Sequence, residues 1–332
     1  MTWSGPTLWV GIALSIVLAA GFTIGIEEWR ALRRMQRWDT DTRQDIRLSL
    51  SCIIPNTIFA LSLTAFWTLV YASIQRLSGL NIPTTFITAL VAVLAVDFCY
   101  YWEHRTAHRS KWLWRLYHAT HHSSDRYNVP VAYRVSFANH FVAPLFYAPC
   151  AVIGFEPLLI ASLQLLVIHY QAWVHTELIG TLGCLDRFLN TPANHRIHHS
   201  TARAHEHRNF GAILMIWDRL FGTYHAPERV AAYGIAGTRA PRTWLALHFN
   251  PWRRSQPPAQ AGKISPPVMR TPSAVVAAFA SKMRLKMHRP HLTDHLWQCA
   301  DQRSDDADIA GGTYRSTSGQ LESTSARGGE GG

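Results

Sequence analysis

Cysteine is scarce in this chain, and the cysteines present lack metal-binding or redox spacing. The 332 residues include five cysteines, and no two of them form a CxxC pair. This spacing argues against zinc fingers, iron–sulfur clusters and a disulfide framework. A GxGxxG turn after a strand and a CxxCH haem-attachment motif are missing as well. The chain therefore lacks the common sequence signatures of a bound dinucleotide, an iron–sulfur cluster or a covalently attached haem.

Acidic residues are also few relative to basic ones. The chain has 21 Asp and Glu against 32 Lys and Arg, which gives a formal net charge of +11. No recognisable nucleic-acid-binding module accompanies this charge, so we predict no nucleic-acid partner. Basic loops beside anionic lipid headgroups explain the charge better.

Long apolar runs, in contrast, dominate the first half of the sequence. They cover approximately residues 7–25, 52–73, 85–102, 136–153 and 157–175. Each is near the roughly 17 to 25 residues that a helix needs to cross the hydrocarbon core. We therefore predict an all-α, polytopic membrane protein with about four to five transmembrane helices. The last two runs contain Asn139, His140 and three prolines, and could instead form a shallow, incomplete hairpin.

Basic residues predict the orientation of these helices. The segment after the first run holds six arginines between Arg30 and Arg47, whereas residues 1–6 contain no Lys or Arg. By the positive-inside rule the first loop is cytoplasmic and the N-terminus is outside. The first run lacks the basic n-region of a signal peptide, so we favour a retained helix over a cleaved leader. The third and fifth runs then end at the cytoplasmic face of the inner membrane.

Histidines cluster in three short motifs that follow those two runs. HRTAH contains His104 and His108, HATHH contains His118, His121 and His122, and HRIHH contains His195, His198 and His199. Residues three and four apart lie on one face of a helix, so each motif presents a patch of imidazoles. Imidazole binds zinc, copper, iron and nickel, and one ion takes about four to six ligands. Eight imidazoles therefore predict a pair of metal ions in a cytoplasmic, histidine-rich helical cap.

Spacing alone leaves the metal and the reaction open. A membrane zinc-dependent hydrolase and a metal transporter are the alternatives to a redox enzyme. A zinc metalloprotease is expected to contain HExxH, which this chain lacks. A transporter would place ionisable residues near the bilayer midplane rather than at helix ends. Adjacent histidine pairs also suit metal ions better than the axial haem ligands of a membrane cytochrome.

The three motifs and their flanks resemble a known family. DFCYYWE precedes HRTAH, and NFGAILMIWDRLFGTYH follows HRIHH. From about residue 96 to residue 225 the sequence is similar to the fatty acid hydroxylase and sterol desaturase superfamily of integral-membrane di-iron enzymes. HHSSDRYNVPVAYR, YQAWVHTELIG and LDRFLNTPANHRIHH resemble in particular the alkylglycerol monooxygenase branch and its bacterial sterol-desaturase-like relatives.

This resemblance implies two iron ions and the residues that bind them. The eight motif histidines match ligand positions of the family, and His175 in WVHTE matches a further one. Some relatives have histidine where this chain has Gln171, which could bind through its amide oxygen or only form a hydrogen bond. The implied activity is O2-dependent hydroxylation or desaturation of a membrane lipid such as a sterol, a fatty acyl chain or an alkyl-glycerol. Electrons would come from a separate reductase or carrier, or from tetrahydropterin, since the alkylglycerol branch resembles pterin-dependent enzymes.

Polar residues near the motifs are candidates to support the ligands. A metal-bound imidazole usually donates its second N–H to a carboxylate or carbonyl, and we predict this catalytic role for Asp97, Glu177 and Asn194. Asp97 is the strongest candidate because a carboxylate in an apolar run needs a partner, and it lies about two turns before the first motif. Glu103 and Asp218 are further candidates. Four histidines outside the motifs are predicted to be loop or packing residues: His140, His205, His207 and His225. His169 lies in an apolar run and could be either a packed residue or one that faces the substrate.

The sequence divides into three predicted parts. Residues 1–84 hold N-terminal transmembrane helices and a basic cytoplasmic loop, residues 85–228 the catalytic domain, and residues 229–332 a polar, largely disordered tail. The tail ends in GGTYRSTSGQLESTSARGGEGG, a composition that cannot bury enough apolar surface to order itself. Within it, residues 274–287 could form a short amphipathic helix on the membrane surface.

Overall fold

The computed structural model describes residues 5–35 and 37–249. Within these ranges the chain is helical and contains no β-strand. Two isolated bridges, Leu189 to Leu214 and Ser200 to Tyr233, join extended segments there. The amphipathic helix predicted at 274–287 and most of the predicted tail lie outside the described residues.

The described residues form helices of very different lengths. The α-helices are α1 (Gly5–Arg34), α2 (Thr40–Leu50), α3 (Ile53–Ser78), α4 (Phe86–Arg109), α5 (Lys111–Leu113), α6 (Ala119–His121), α7 (Asn139–Val142), α8 (Ala148–Ile153), α9 (Pro157–Val174), α10 (Leu185–Phe188), α11 (Pro192–His198), α12 (Ile216–Leu220) and α13 (Trp244–Phe249). A π-helix spans Trp114–His118, and 3₁₀ helices span Val129–Tyr133, Ala143–Tyr147 and Arg203–His205.

Four helical segments are long and apolar enough to cross a membrane. They are Val10–Arg34 in α1, Thr40–Ser78 across α2 and α3, Phe86–Arg109 and Pro157–Val174. Large apolar side chains of α3 and α4, such as Leu61, Leu69 and Ile87, are exposed on the outer faces of these helices, as expected for contact with lipid. The prediction of an all-α, polytopic membrane protein is therefore confirmed, with four candidate spans.

The fourth apolar run forms no long helix. Its residues fold into α7, a 3₁₀ turn and α8 in sequence. Pro144 and Pro149 each lie in the first turn of a new short helix, where proline fits because the missing N–H would have no partner. These breaks leave a compact apolar segment between α4 and α9.

Helix α1 packs along α9 and ends beside the turn that follows α9. A Cβ at Gly21 would stand 3.1 Å from the Cβ of Ala172, so the small residue allows the two backbones to approach closely. Near its C-terminal end, the Glu28 carboxylate accepts hydrogen bonds from the Val129 N–H and the Thr176 hydroxyl, both at 2.8 Å. The basic segment that follows α1 therefore starts next to the histidine cap.

A buried ion pair ties α2 to the segment after HATHH. Arg134 is fully buried and donates to the Asp45 carboxylate at 2.6 Å and to the Ser49 hydroxyl at 3.1 Å. Removing one partner of such a pair typically costs about 3–5 kcal/mol because the other charge stays buried. These contacts of Arg134 thus fix helix α2 to the segment that follows HATHH.

Part of the predicted tail is ordered. In residues 229–249, Leu247 of α13 packs against Leu48 and Cys52, and Arg242 forms an ion pair with Asp41 at 3.0 Å. Trp244 and Leu247 therefore dock α13 on Leu48 and Cys52, and the predicted disorder of the rest of the tail stays a prediction.

Candidate metal centre

The structure brings the eight motif histidines and His175 together in two adjoining groups. The five-histidine group consists of His104, His108, His118, His122 and His198, and the four-histidine group consists of His121, His175, His195 and His199. Within each group, one ring nitrogen of every residue lies within 4.8 Å of the others. The groups adjoin where the rings of His122 and His199 stack, with centroids 4.2 Å apart.

Each HxxHH motif contributes to both groups. In HATHH, His121 enters the four-histidine group, whereas His118 and His122 enter the five-histidine group. HRIHH divides in the same way, with His198 in the five-histidine group and its other two histidines in the four-histidine group. Consecutive side chains on a helix point roughly 100° apart, so adjacent histidines face different groups.

Helix ends and a widened turn position these rings. His104 and His108 lie one turn apart near the C-terminal end of α4, and His175 is the residue that ends α9. HATHH begins in the π-helix Trp114–His118, a widened turn of a kind that is frequent at functional sites. The histidines therefore converge from the same end of two membrane helices.

Nitrogen separations in the five-histidine group match imidazoles that share an ion. The Nε2 atom of His198 lies 3.2 Å from Nε2 of His108 and 3.1 Å from Nε2 of His122. The Nε2 atoms of His118 and His122 are 3.2 Å apart. Two imidazoles bound to one ion at about 2.1 Å are separated by about 3.0 Å in octahedral and about 3.4 Å in tetrahedral geometry.

The four-histidine group is built around His175. Its Nε2 atom lies 3.1 Å from Nε2 of His199, 3.2 Å from Nε2 of His195 and 3.3 Å from Nε2 of His121. These separations fall in the same range as those of the first group. Both groups therefore fit a bound metal ion.

An unpartnered ring nitrogen supports this fit. Nε2 of His104 is buried and has no hydrogen-bond partner in the part of the chain that the structure describes. A buried polar atom without a partner is unfavourable and rare in folded proteins. Coordination to a metal in the five-histidine group would satisfy it.

Burial keeps these imidazoles neutral. For the histidines outside the membrane helices, removal from water is the largest cause and lowers the pKa below its usual value; these are His118, His121, His122, His175, His195, His198 and His199. The pKa of His175 is lowered to about 4. Neutral imidazoles keep a lone pair for a metal at neutral pH.

Backbone carbonyls orient two ligands of the five-histidine group. Nδ1 of His104 lies 2.9 Å from the Phe210 carbonyl oxygen, and Nδ1 of His198 lies 2.9 Å from the Arg208 carbonyl oxygen. An Nδ1–H that donates to a carbonyl leaves the Nε2 lone pair free for a metal. Both carbonyls belong to one short loop, which follows HRIHH.

This loop has an unusual backbone conformation. His207 and Asn209 have φ angles of 59° and 55°, a left-handed conformation that costs on the order of 1–3 kcal/mol in a non-glycine residue. The buried side chain of Asn209 donates to the carbonyls of Asn194 at 3.0 Å and His225 at 2.9 Å. Its Oδ1 accepts from the N–H of His225 at 2.8 Å. These contacts hold the strained loop in place.

Asp218 holds the next part of the same loop. Its carboxylate accepts hydrogen bonds from the N–H groups of Phe210 at 2.8 Å and Gly211 at 2.7 Å and from the Thr223 hydroxyl at 2.7 Å. A Cβ at Gly211 would clash with the carbonyl oxygen of Leu214. Asp218 was a predicted partner of an imidazole, but it acts on His104 through the Phe210 backbone.

Asp97 has different partners from those predicted. Its carboxylate accepts from the N–H groups of Ile213 at 2.8 Å and Leu214 at 3.3 Å and from the indole N–H of Trp217 at 2.9 Å. We predicted a contact with a histidine, whereas the segment after HRIHH folds back and supplies these three donors. Asp97 therefore anchors the residues next to the strained loop.

Glu177 and Asn194 also bond to other groups. Glu177 lies 3.6 Å from Arg37 in a partly exposed ion pair. The Asn194 side chain donates to the carbonyls of Asp186 at 2.8 Å and Leu189 at 3.0 Å. Neither side chain hydrogen-bonds a histidine among the described residues: Glu177 pairs with an arginine, and local backbone carbonyls accept the hydrogen bonds of the short Asn194 side chain.

Asn190 was not predicted from the sequence as a partner of a histidine. Its amide lies 3.4 Å from Nδ1 of His195 and donates to the Gly211 carbonyl at 2.7 Å. Asn190 is fully buried and lies five residues before His195, outside the histidine motifs. Backbone carbonyls, which orient the other rings, leave no signature in the sequence at all.

Gln171 lies beside the four-histidine group. Its backbone carbonyl oxygen is 2.6 Å from Nδ1 of His175, one helical turn later. Its side-chain nitrogen donates to the Ala212 carbonyl at 3.2 Å, and its Oε1 is buried without a hydrogen-bond partner in the described part of the chain. Coordination by this oxygen stays a prediction.

A cavity of about 150 Å³ reaches both groups, touching His118 of the first and His121 of the second. Its wall includes Ala60 and Leu63 of α3 and Ile168 of α9. Near the histidines it is also lined by Glu103 and Tyr117, whose hydroxyl donates to the Glu103 carboxylate at 2.6 Å. Glu103 thus faces the cavity and bonds to a tyrosine rather than to an imidazole.

Comparison with known proteins supports the resemblance noted from the motifs. The fatty acid hydroxylase family model matches residues 89–223. The chain is 42% identical to human (Homo sapiens) alkylglycerol monooxygenase over 144 residues, which cover 43% of this chain and 32% of the relative. It is 37% identical to the ornithine lipid hydroxylase OlsE of Rhizobium tropici over 183 residues, which cover 52% of each chain. The resemblance predicted from the motifs is confirmed: residues 89–223 match the fatty acid hydroxylase model, and the chain is similar to alkylglycerol monooxygenase.

A third relative is more distant. Sphinganine C4-monooxygenase 1 of Arabidopsis thaliana is 29% identical over 163 residues, which cover 45% of this chain and 57% of the relative. The match to the human alkylglycerol monooxygenase spans about a third of that relative's length. No solved structure matches.

Proposed function

Because the chain contains a fatty acid hydroxylase domain at residues 89–223, we propose that this protein is an O2-dependent di-iron enzyme that hydroxylates a membrane lipid. The observation that carries the proposal is the pair of buried histidine groups beside a mostly apolar cavity, which His118 and His121 help to line. A redox centre beside a cavity with walls from α3 and α9, both candidate membrane helices, suits oxidation of a hydrocarbon chain.

Each histidine group would hold one iron. The proposed ligands are the five-histidine and the four-histidine sets, with Gln171 as an additional candidate for the second ion. Two irons held there would supply the reductive activation of O2 that an unactivated C–H bond requires. The chain's own contribution is to fix the imidazoles through backbone carbonyls and to exclude water by burial.

The cavity is the proposed site of the lipid chain. Leu63 and Ile168 would contact its methylene groups, while His118 and His121 lie at the reactive end. Hydroxylation converts R–H and O2 to R–OH and water, and it consumes two electrons and two protons. We propose that a separate reductase, an electron carrier or a tetrahydropterin supplies the electrons.

The cap is proposed to face the cytoplasm from the inner membrane. The supporting observation is that the arginine-rich segment adjoins the histidines: Arg37 pairs with Glu177, two residues after His175. By the positive-inside rule this segment remains cytoplasmic. The cap would then lie on the side where soluble electron donors are available.

The direct test is product analysis with purified protein in lipid nanodiscs. Iron, a chemical reductant and isotopically labelled O2 would be supplied together with alkylglycerols, ornithine lipids or long-chain bases, the classes named by the relatives. We expect one lipid class to gain a single labelled oxygen atom. An unlabelled product with a new double bond would indicate desaturation instead. An unlabelled hydrolysis product, formed by a protein that holds zinc after iron-replete expression, would contradict the proposal and favour a hydrolase.

A cavity variant tests where the chain lies. Leu63→Trp fills the cavity, whereas Leu61→Trp places the same ring on the outer face of α3, where Leu61 is 68% exposed. We expect Leu63→Trp to lower kcat/KM by on the order of tenfold or more with unchanged iron content, and Leu61→Trp to behave like the wild type. Equal activity of the two variants would place the substrate elsewhere.

A further inference from the structure

A third cluster of metal-ligand side chains lies outside the two histidine groups. His205, His225 and Glu228 each offer one ligand atom, and these atoms lie within 4.8 Å of one another. The His205 side chain is 3% exposed and that of Glu228 is 56% exposed. The sequence predicted these two histidines to be loop or packing residues, but the fold brings them together beside a carboxylate.

This cluster contains more than the contact between His205 and Glu228. Nε2 of His205 lies 2.6 Å from the Glu228 carboxylate, and the rings of His205 and His225 are 4.8 Å apart at 68°. Nδ1 of His205 is buried and has no hydrogen-bond partner among the residues described. Nδ1 of His225 lies 2.8 Å from the Ala226 carbonyl oxygen, which leaves Nε2 of His225 as the ligand atom.

We propose that His205, His225 and Glu228 bind one divalent transition-metal ion of the zinc type, separate from the nine-histidine centre. Two imidazoles and one carboxylate are a common protein ligand set for such an ion, and water completes the coordination. The exposed Glu228 carboxylate gives the ion a route from solvent and can adjust its position as the ion binds. This proposal does not depend on the proposed lipid chemistry.

The ion would fasten the strained loop at both ends. His205 precedes the left-handed residues His207 and Asn209, and the Asn209 side chain bonds to the backbone of His225. The cluster therefore joins the same two segments as Asn209 does. Because this loop carries the carbonyls that orient His104 and His198, metal binding at the third cluster would stiffen the five-histidine group.

Metal counting with cobalt tests the proposal. The full-length protein in detergent would be stripped with a chelator and titrated with Co2+, and bound Co2+ would be measured by equilibrium dialysis and visible absorbance. We expect Glu228→Gln and His225→Ala each to bind one equivalent less than the wild type, or to weaken that equivalent by more than about 100-fold. Glu206→Gln, a neighbouring exposed carboxylate with 69% side-chain exposure, is the matched control and should bind as the wild type does.

Both replaced side chains are at least partly exposed, and His225→Ala keeps the backbone bonds to Asn209, so folding should be retained. A second readout is hydrogen exchange of residues 203–228, which Zn2+ should slow in the wild type but not in Glu228→Gln. Unchanged Co2+ binding in both variants would overturn the proposal and leave a hydrogen bond between His205 and Glu228 only. The count is a difference between variants, so it is independent of lipid turnover and of how many ions the nine histidines hold.

Discussion

The two histidine groups are similar in composition but differ in how their rings are held. In the four-histidine group, His175 is oriented by the Gln171 carbonyl of its own helix. In the five-histidine group, His104 and His198 are oriented by carbonyls of a loop that contains two left-handed non-glycine residues. His175, around which one group is built, therefore depends on regular helix geometry, whereas two rings of the other group depend on a strained loop held by Asp218 and Asn209.

Because of this difference, we expect the two histidine groups to respond differently to the same substitution nearby. A helix carbonyl four residues earlier is positioned by the helix itself, whereas a loop carbonyl is positioned only by tertiary hydrogen bonds. We expect variants of the loop to loosen the five-histidine group first. Three experiments can separate the groups, beginning with the largest expected effect.

Replacing one or the other of two adjacent histidines should remove different ions. His198→Ala takes a ligand from the five-histidine group and His199→Ala takes one from the four-histidine group. We expect each to lower lipid hydroxylation by at least about 100-fold, and each to deplete mainly its own iron, as measured by metal analysis and Mössbauer spectroscopy. His169→Ala, a histidine outside both groups, is the control. Identical iron spectra for the two variants would break the comparison.

Gly211→Ala should damage the loop next. The new Cβ meets the Leu214 carbonyl oxygen and lies 3.0 Å from Asp218 Oδ2, so backbone must shift. We expect a loss of stability on the order of 2–4 kcal/mol, visible as a lower Tm in detergent, and faster chelation of iron from the five-histidine group. Gly180→Ala has no atom within 4 Å of the new Cβ and should leave both properties unchanged. A wild-type Tm for Gly211→Ala would show that the loop is more adaptable than its contacts indicate.

Paired polar variants should give the smallest and most selective effects. Asp218→Asn weakens the bonds that hold Phe210 and Gly211, so we expect iron in the five-histidine group to dissociate about tenfold faster. Asn190→Ala removes the amide beside His195 and should mainly loosen the four-histidine group. Chelation kinetics of each iron would measure both effects. Equal loosening of both irons in either variant would show that the groups behave as one unit.

Much of the fold, and the nine histidines that lie together in two groups, could be predicted from the sequence. Apolar runs of sufficient length predicted the membrane helices, and the spacing in HATHH and HRIHH predicted the imidazole patches. The supporting residues could not be predicted in the same way. Asp97 was expected beside a histidine because it is a carboxylate in an apolar run. Its carboxylate instead accepts three hydrogen bonds from residues 213–217.

The sequence by itself determined that this is a helical membrane protein with histidine clusters that fit a metal site, because hydropathy and helical spacing are local properties. Only the tertiary structure decided which histidine joins which group, which carbonyls orient them, and that His205, His225 and Glu228 meet. These facts depend on backbone atoms and on contacts between distant segments. Backbone carbonyls are chemically the same in every residue, so no residue type in the sequence marks the ones that orient a ligand.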